Sequence, residues 1–362
     1  MKKGMYLAFC VLVAMVLIFS ACNKGTAASG GGLKQSSDNT DLIGAGKGRD
    51  YGRGAVGYDL DALIDRLGRD AVKNLKIGIS LDSLKTQWMA LYAEEITKLS
   101  REYGFSVVIM SAEGEVTKAE ADLKSLQAQQ VDGILIFPGN SEALSSTMGE
   151  IIRQGIPVIS LCAVPAGVEV TASITANELT RGAMVARNIA EDANGAQRNI
   201  MVNCVDVDFP LLNNRRIGFE EEVKNHPNLR IVETRNTRGD AQDYLNAAIE
   251  GLLANDTIDT TYATFSLPVM AGYNAAKQLG RQVDVYGIDV DEIMLQLMME
   301  GDMVKGLMAH VPFSNCYVSV FQLLRVLAGE NIPFDTPEAD NYAYFFVRQK
   351  DAADMYQLMY GN

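Results

Sequence analysis

The chain has 362 residues, of which 48% are hydrophobic and 21% charged, and its formal net charge is −13 at pH 7. This acidic balance excludes nucleic acid as an expected partner, because phosphate binding needs clustered Lys and Arg, and the body of the chain has no basic run beyond Arg215-Arg216. With two histidines and no Cys-x-x-Cys or His-Glu-x-x-His spacing, we expect neither a metal site nor a cofactor.

Residues 1–21 are predicted to be a lipoprotein signal peptide. Lys2 and Lys3 precede an apolar stretch, residues 5–19, which has the size of a signal-peptide core and is short for a membrane span. The sequence Phe19-Ser20-Ala21-Cys22 resembles the bacterial lipobox, so a lipid on Cys22 is expected to anchor the protein to the cell membrane, facing the periplasm or the exterior. The alternative, an uncleaved transmembrane anchor, also places the rest of the chain outside.

Residues 22–72 are predicted to form a flexible tether. Residues 23–57 are rich in Gly, Ser, Ala, Asn and Asp, a composition that cannot bury a core. Residues 52–57 match G-x-G-x-x-G, but no buried strand precedes them, which argues against a dinucleotide site. The remaining three hundred or so residues are enough for two domains of about 150 residues.

From residue 75 onward, runs rich in Ile and Val alternate with helical patterns, which predicts repeated βα units and parallel sheets covered on both faces. In the first half the predicted strands are 75–81, 105–110, 133–137 and 158–161, and the helices 87–103, 117–130 and 142–154. In the second half the strands are 199–205, 230–234, 262–265 and 283–288, and the helices 178–193, 217–225, 240–254, 269–279 and 292–300. Ligands of such doubly wound folds bind outside the carboxyl ends of the strands.

Several short motifs carry a resemblance over roughly residues 75–347. They are 77–82 (Ile-Gly-Ile-Ser-Leu-Asp), 131–136 (Val-Asp-Gly-Ile-Leu-Ile), 155–159 (Gly-Ile-Pro-Val-Ile), 215–219 (R-x-x-G-F) and 287–289 (Gly-Ile-Asp). In this order and spacing, the chain resembles the type I periplasmic binding proteins, specifically the ribose and xylose binding group that serves sugar ABC transporters.

The resemblance implies an α/β fold of two doubly wound parallel-sheet domains joined by a three-segment hinge, which the chain crosses near Thr175, His310 and Asp340. The implied N-terminal lobe is 73–175 plus 311–340, and the C-terminal lobe is 176–310 plus 341–362. Ligand would bind in the cleft, and the lobes would close over it. We expect a monomer that delivers a small sugar-like ligand to an ABC permease; a sensor of the same fold that signals to a membrane receptor is the alternative.

The same resemblance implies ligand contacts from the first lobe and the first crossing. Trp88, with Gln87 beside it, lies where the family places an aromatic ring that can lie against a sugar. Phe137 closes the third strand at a cleft position; for it and for Trp88 the alternative is core packing. Asn177 lies where a side-chain amide reaches ligand hydroxyls, or else it caps the helix that follows.

Further contacts are implied from the second lobe. Arg215 matches a ligand-contacting arginine, whose fork of donors suits paired oxygens. Asp289 matches an acid that accepts hydrogen bonds from two sugar hydroxyls, whereas Asp291 is expected to cap the next helix. His310 lies at a crossing where relatives present a ligand contact, and a solvated hinge histidine is the alternative.

Two positions depart from the sugar-binding pattern. Leu161-Cys162 replaces an Asp-Arg pair, and Ser266-Leu267 replaces an Asn-Asp pair. A buried site rejects ligands that leave its polar groups unpaired, so the loss of these groups changes which molecules are accepted. We therefore expect Cys162 and Ser266 to line a pocket for a less hydroxylated compound, such as a deoxysugar, a nucleoside or another small amphipathic molecule.

A catalytic role is the competing class of function. Cys162 or Cys316 could act as a nucleophile with His310 as its base, as in a hydrolase. No third group that would orient the histidine is evident, and buried cysteines are usually inert. We therefore expect that the protein is not an enzyme.

Overall fold

The computed structural model describes residues 58–139, 141–206, 209–337 and 345–361. Cys22, the predicted signal peptide, the tether up to residue 57 and the crossing near Asp340 lie outside the described residues. Within the described residues, no helix combines the length and the apolar character that a membrane span requires.

Six parallel strands form the first sheet, and helices cover it. The strands are β1 (Lys76–Leu81), β2 (Ser106–Ser111), β3 (Gly133–Ile136), β4 (Val158–Ser160), β5 (Ala172–Thr175) and β11 (Asp335–Pro337), in the order β11-β5-β4-β3-β1-β2. The helices are α3 (Gln87–Tyr103), α4 (Val116–Ala128), α5 (Ser141–Arg153) and α11 (Pro312–Leu327).

Both faces of the first sheet are buried, which explains why its strands are apolar without alternation. All four residues of β3 are buried. Gly78 of β1 lies against Leu126 of α4, and Gly133 of β3 lies against Leu323 of α11. A side chain at either glycine would meet these leucines, so the two positions let the helices approach the sheet closely.

The second sheet also has six strands. They are β6 (Arg198–Val205), β7 (Leu229–Thr237), β8 (Thr260–Ala263), β9 (Asp284–Ile288), β10 (Val304–Met308) and β12 (Phe346–Arg348), in the order β12-β10-β9-β8-β6-β7. Its helices are α6 (Glu178–Ala193), α7 (Pro210–Val223), α8 (Ala241–Ala254), α9 (Ser266–Gln278), α10 (Glu292–Met299) and α12 (Ala352–Tyr360). All strand pairs are parallel except β10 with β12. The predicted fold of two parallel-sheet α/β domains is confirmed.

The chain passes between the two sheets three times. It leaves the first sheet after β5, returns from β10 into α11, and crosses again between β11 and β12. The last passage includes residues 338–344, which are not described.

The predicted tether extends too far, because residues 58–73 contain two helices, α1 (Leu60–Leu67) and α2 (Arg69–Lys73). The side chain of Asp59 caps α1, accepting a hydrogen bond from the backbone N–H of Ala62 at 2.9 Å. The buried face of α1 consists of Leu60, Leu63 and Ile64. Their spacing forms an apolar helical stripe that packs into the core of the first lobe, so 58–72 belong to the folded body.

Candidate ligand-binding cleft

A cleft of about 390 Å³ lies between the two lobes, at the carboxyl ends of strands from both sheets. Asp82 follows β1 and Phe137 follows β3 on the first lobe; Val205 ends β6 and Asp289 follows β9 on the second. His310 follows β10, where the chain crosses back to the first lobe. Residues from distant parts of the sequence therefore meet at one site.

The structure brings most of the predicted site residues to this cleft. Those that line it are Trp88, Phe137, Arg215, Ser266, Asp289 and His310. Those that are not among the lining residues are Gln87, Cys162 and Asn177.

Arg215, Ser266, Asp289 and His310 form a polar cluster on the second-lobe side. Nη1 of Arg215 donates to Oδ1 of Asp289 at 3.4 Å and to the carbonyl oxygen of Thr264 at 3.0 Å. Nη2 of Arg215 shares a hydrogen bond with Nδ1 of His310 at 3.1 Å, and the backbone N–H of Ser266 donates to Oδ2 of Asp289 at 3.3 Å. The cluster is thus held together by bonds among its own members.

Asp289 is the acceptor of this cluster. Burial by itself would raise its pKa, but the charge of Arg215 and the contacts with His310 and Ser266 outweigh burial and lower the pKa below its ordinary value. The carboxylate is therefore ionised at neutral pH. Its backbone has a φ of 80°, in the left-handed region, which aspartate tolerates better than most residues.

Glu178 supports the cluster from behind, and the sequence did not single it out. Its side chain is 5% exposed and accepts hydrogen bonds from Nε of Arg215 and from Nη1 of Arg181, each at 2.7 Å. Arg181 and Arg215 are themselves fully buried. A buried carboxylate that contacts two buried guanidinium groups fixes their orientation, so Glu178 positions Arg215.

Trp88 both packs in the core of the first lobe and lines the cleft. Its ring lies 5.6 Å from that of Tyr92 and 5.5 Å from that of Phe137, within the core of the first lobe. It also lines the cleft, 4.9 Å from the ring of His310. Its indole Nε1 is buried with no hydrogen-bond partner among the described residues.

Gln87 makes a contact between the lobes instead of lining the cleft. Its Oε1 accepts a hydrogen bond from the backbone N–H of Glu292, the first residue of α10, at 2.7 Å. Asp291 occupies the N-cap position of α10 as expected, but it makes no side-chain capping bond. One turn beyond Gln87, Leu91 packs into the core of the second lobe. The start of α3 is therefore docked onto the opposite lobe.

Cys162 and Asn177 also have structural contacts. Cys162 is 3% exposed and packs against Phe209, Leu211 and Leu212 of the other lobe, so it joins the lobes. Asn177 is exposed and caps α6, accepting a hydrogen bond from the backbone N–H of Thr180 at 3.0 Å. For Asn177, the capping role holds.

Several lining residues were not anticipated. The apolar ones from the second lobe are Val205, Phe209, Leu211, Leu212, Tyr244 and Phe265, called here the apolar wall. The polar ones include Asp82 and Arg238.

Burial, and then the charge of Glu113, raise the pKa of Asp82, and Gly139 leaves room for its carboxyl group. Its place directly after β1 was the signal that could have identified it.

Comparison with known proteins identifies the family. The periplasmic binding protein domain family matches residues 77–331. A ribose import binding protein of Bacillus subtilis is 27% identical over 119 residues, which cover 33% of this chain and only 39% of that relative. A ribose import binding protein of Haemophilus influenzae is 20% identical over 261 residues, which cover 72% of this chain and 88% of that relative.

A solved structure supports the same assignment at the level of the fold. An ABC transporter periplasmic solute binding protein from Actinobacillus succinogenes, with bound D-allose, has a TM-score of 0.71 at 17% identity, covering 78% of this chain and 100% of that one. The match with the family over residues 77–331 takes in strands β1 to β10, from residue 77 onward, and all the residues that line the cleft. The chain therefore belongs to the periplasmic binding proteins, and to their type I, sugar-binding kind.

Proposed function

We propose that this protein is an extracytoplasmic solute-binding lipoprotein. It is held to the membrane through Cys22, captures a small sugar-like ligand between its lobes, and delivers it to an ABC permease. The observation that carries the proposal is the pairing, in one interlobe cleft, of an ionised Asp289 held by Arg215 with the ring of Trp88.

The chemistry of this pairing suits a hydroxylated ring. A carboxylate accepts strong, charge-assisted hydrogen bonds from hydroxyl groups, and an aromatic face packs against the C–H groups of the same ring. Contacts that exist only when both lobes touch the ligand favour the closed state. The sugars named for the relatives support a sugar-like ligand here.

A thermal-shift screen tests the binding part. The panel contains pentoses, hexoses, deoxysugars, sugar alcohols, nucleosides and small acids. A ligand present at 100 times its Kd stabilises the native state by about 2.7 kcal/mol, which gives a clear rise in Tm. The control is Asp289→Asn, which keeps the size of the side chain and should lose most of the shift. If no sugar-like member of the panel raises Tm, the proposal is wrong.

The delivery part needs a separate test. The permease and its ATPase, reconstituted in vesicles, should hydrolyse ATP faster when the ligand-loaded protein is added. The Asp289→Asn variant at the same concentration should give only the basal rate. Equal stimulation by loaded and unloaded protein would contradict delivery and leave binding untouched.

A further inference from the structure

The cleft has two chemically different sides. The polar cluster occupies one side, and the apolar wall lies beside it on the same lobe. From the first lobe, Phe137 faces Phe209 with ring centroids 6.0 Å apart. Within the apolar wall, the rings of Tyr244 and Phe265 lie 5.7 Å apart and nearly perpendicular. Such aromatic groups present faces and edges against which a flat apolar group packs well.

Most hydrogen-bonding groups of the polar cluster are already used within the cluster, so few are left for a ligand. Of the five N–H donors of Arg215, Nε is bonded to Glu178, both on Nη1 are directed to Thr264 and Asp289, and one on Nη2 is directed to His310. Oδ2 of Asp289 already accepts from Ser266. A fully hydroxylated hexose carries a hydroxyl on nearly every ring carbon, and each needs a partner once it is buried. The polar cluster alone cannot satisfy such a ring. The further polar groups that line the cleft are few, namely Asp82, Thr86, Arg238 and the indole N–H of Trp88.

The size of the cleft agrees with a ligand longer than one sugar ring. Its volume is about 390 Å³, and clefts of roughly 300–1,000 Å³ hold drug-sized ligands lined mainly by apolar and aromatic side chains with a few polar groups. Four residues of the apolar wall are already buried without ligand, but Val205 and Phe265 are only half-buried. A lone monosaccharide placed on the polar cluster would leave these two side chains open to water, so the stabilisation from covering them would not be gained.

We infer that the ligand has two parts: a hydroxylated ring held by the polar cluster, joined to a flat apolar group that packs on the apolar wall. Nucleosides and aryl glycosides share this chemistry. This inference rests on the proposed function, because it uses the same cleft and names the class of its ligand.

Paired ligands test the inference. Isothermal titration calorimetry compares each member of a panel of pentoses and hexoses with its nucleoside or its 4-nitrophenyl glycoside, and with adenine or 4-nitrophenol alone. Burying the flat group should make the best conjugate bind roughly 10- to 100-fold tighter than its free sugar. The nucleoside and glycoside arms distinguish the two sources of the flat group.

Matched variants locate the two parts of the ligand. Val205→Thr keeps the shape of the side chain and adds a hydroxyl to the apolar wall, so it should weaken binding of the conjugate several-fold and by a larger factor than binding of the free sugar. Asp289→Asn should weaken both ligands together. The Tm of each variant without ligand confirms that the titrated protein is folded. The Val205→Thr comparison decides the inference even where Asp289→Asn, which breaks the buried pair with Arg215, lowers Tm.

The possible outcomes separate the two proposals. Free sugars that bind as tightly as their conjugates, or an aglycone that binds as tightly as the conjugate, would overturn the two-part ligand while binding in the cleft stands. A Val205→Thr variant that binds the conjugate as tightly as the wild type would also overturn it. If no sugar and no conjugate binds, the proposed function falls with it.

Discussion

Glu178 is the residue on which the orientation of Arg215 depends. Glu178→Gln keeps the shape of the side chain but removes the charge that neutralises two buried guanidinium groups. Breaking a buried ion pair is strongly destabilising, so we expect the free energy of unfolding to fall by about 3–5 kcal/mol, and ligand affinity to fall more than tenfold. Urea unfolding and calorimetry measure the two effects.

The matched control for Glu178 lies on the same helix. Glu191→Gln in α6 breaks an exposed pair with Arg348, which should change stability by at most about 1 kcal/mol. If Glu178→Gln is as mild as this control, Glu178 has no positioning role.

Asp291 should make stability depend on pH. Burial, and then the charge of Asp289, raise the pKa of Asp291 from 3.8 to about 7. The folded state therefore holds this proton more tightly than the unfolded state, and stability falls as pH rises from about 4 to 7. Asp291→Asn removes the titration, so the variant should be about 1–3 kcal/mol more stable than the wild type at pH 8 and nearly equal to it at pH 4. Urea unfolding at several pH values across this range measures the stability of both proteins. Identical pH profiles for the wild type and the variant would refute the raised pKa of Asp291.

At the scale of single residues, the sequence locates a site better than it orients side chains. Asp289 follows directly on a strand, and the carboxyl ends of parallel strands converge, so its position was predictable. Gln87 and Trp88 are neighbours on one helix and point about 100° apart, so only one of them faces the cleft. Which of the two faces the cleft depends on the position of the opposite lobe, and the local sequence does not predict that position.

At the scale of elements, the first turn of α10 is capped by a side chain of the other lobe, that of Gln87. Gln87→Ala removes this bond without touching the cleft, so it destabilises the state in which the lobes are in contact. Ligand affinity should fall about 3- to 10-fold, the equivalent of one neutral hydrogen bond, with little change in Tm without ligand. Calorimetry measures the affinity. Gln242→Ala, an exposed glutamine in the first turn of α8, is the control and should bind normally. Equal affinities for the two variants would count against the interlobe cap.

The elements that were missed have weak local signals. The helix predicted from residue 217 begins at Pro210, where proline suits the first helical position. The missed residues 210–216 carry Leu211 and Leu212 of the apolar wall and Arg215 of the polar cluster. Likewise α1 has only one short apolar stripe, and it follows a long stretch without periodicity. Its burial depends on contacts with α11, more than two hundred residues away in the chain, such as the bond from the N–H of Leu60 to the hydroxyl of Tyr317.

At the scale of the whole molecule, the alternation of strands and helices was enough to predict both sheets, because that rhythm allows few topologies. The closeness of the lobes was not predictable. It rests on contacts between residues far apart in the chain, namely the hydrogen bond of Gln87 with Glu292 and the buried cluster that Cys162 shares with Phe209, Leu211 and Leu212. These contacts and the ligand favour the same closed arrangement, so binding and closure should be coupled.

Membrane anchoring and ligand binding should be separable. Cys22→Ser removes the attachment point for lipid, and since stable anchoring takes more than one acyl chain, the variant should leave the membrane fraction entirely. Cys10→Ser is the matched control, because this cysteine lies in the predicted signal peptide and should have no effect. Membrane fractionation with immunoblotting measures the distribution, and calorimetry on the released protein should give the wild-type Kd, since the cleft lies within residues 82–310. A Cys22→Ser protein that stays in the membrane would instead favour an uncleaved transmembrane segment, with residues 5–19 as the span.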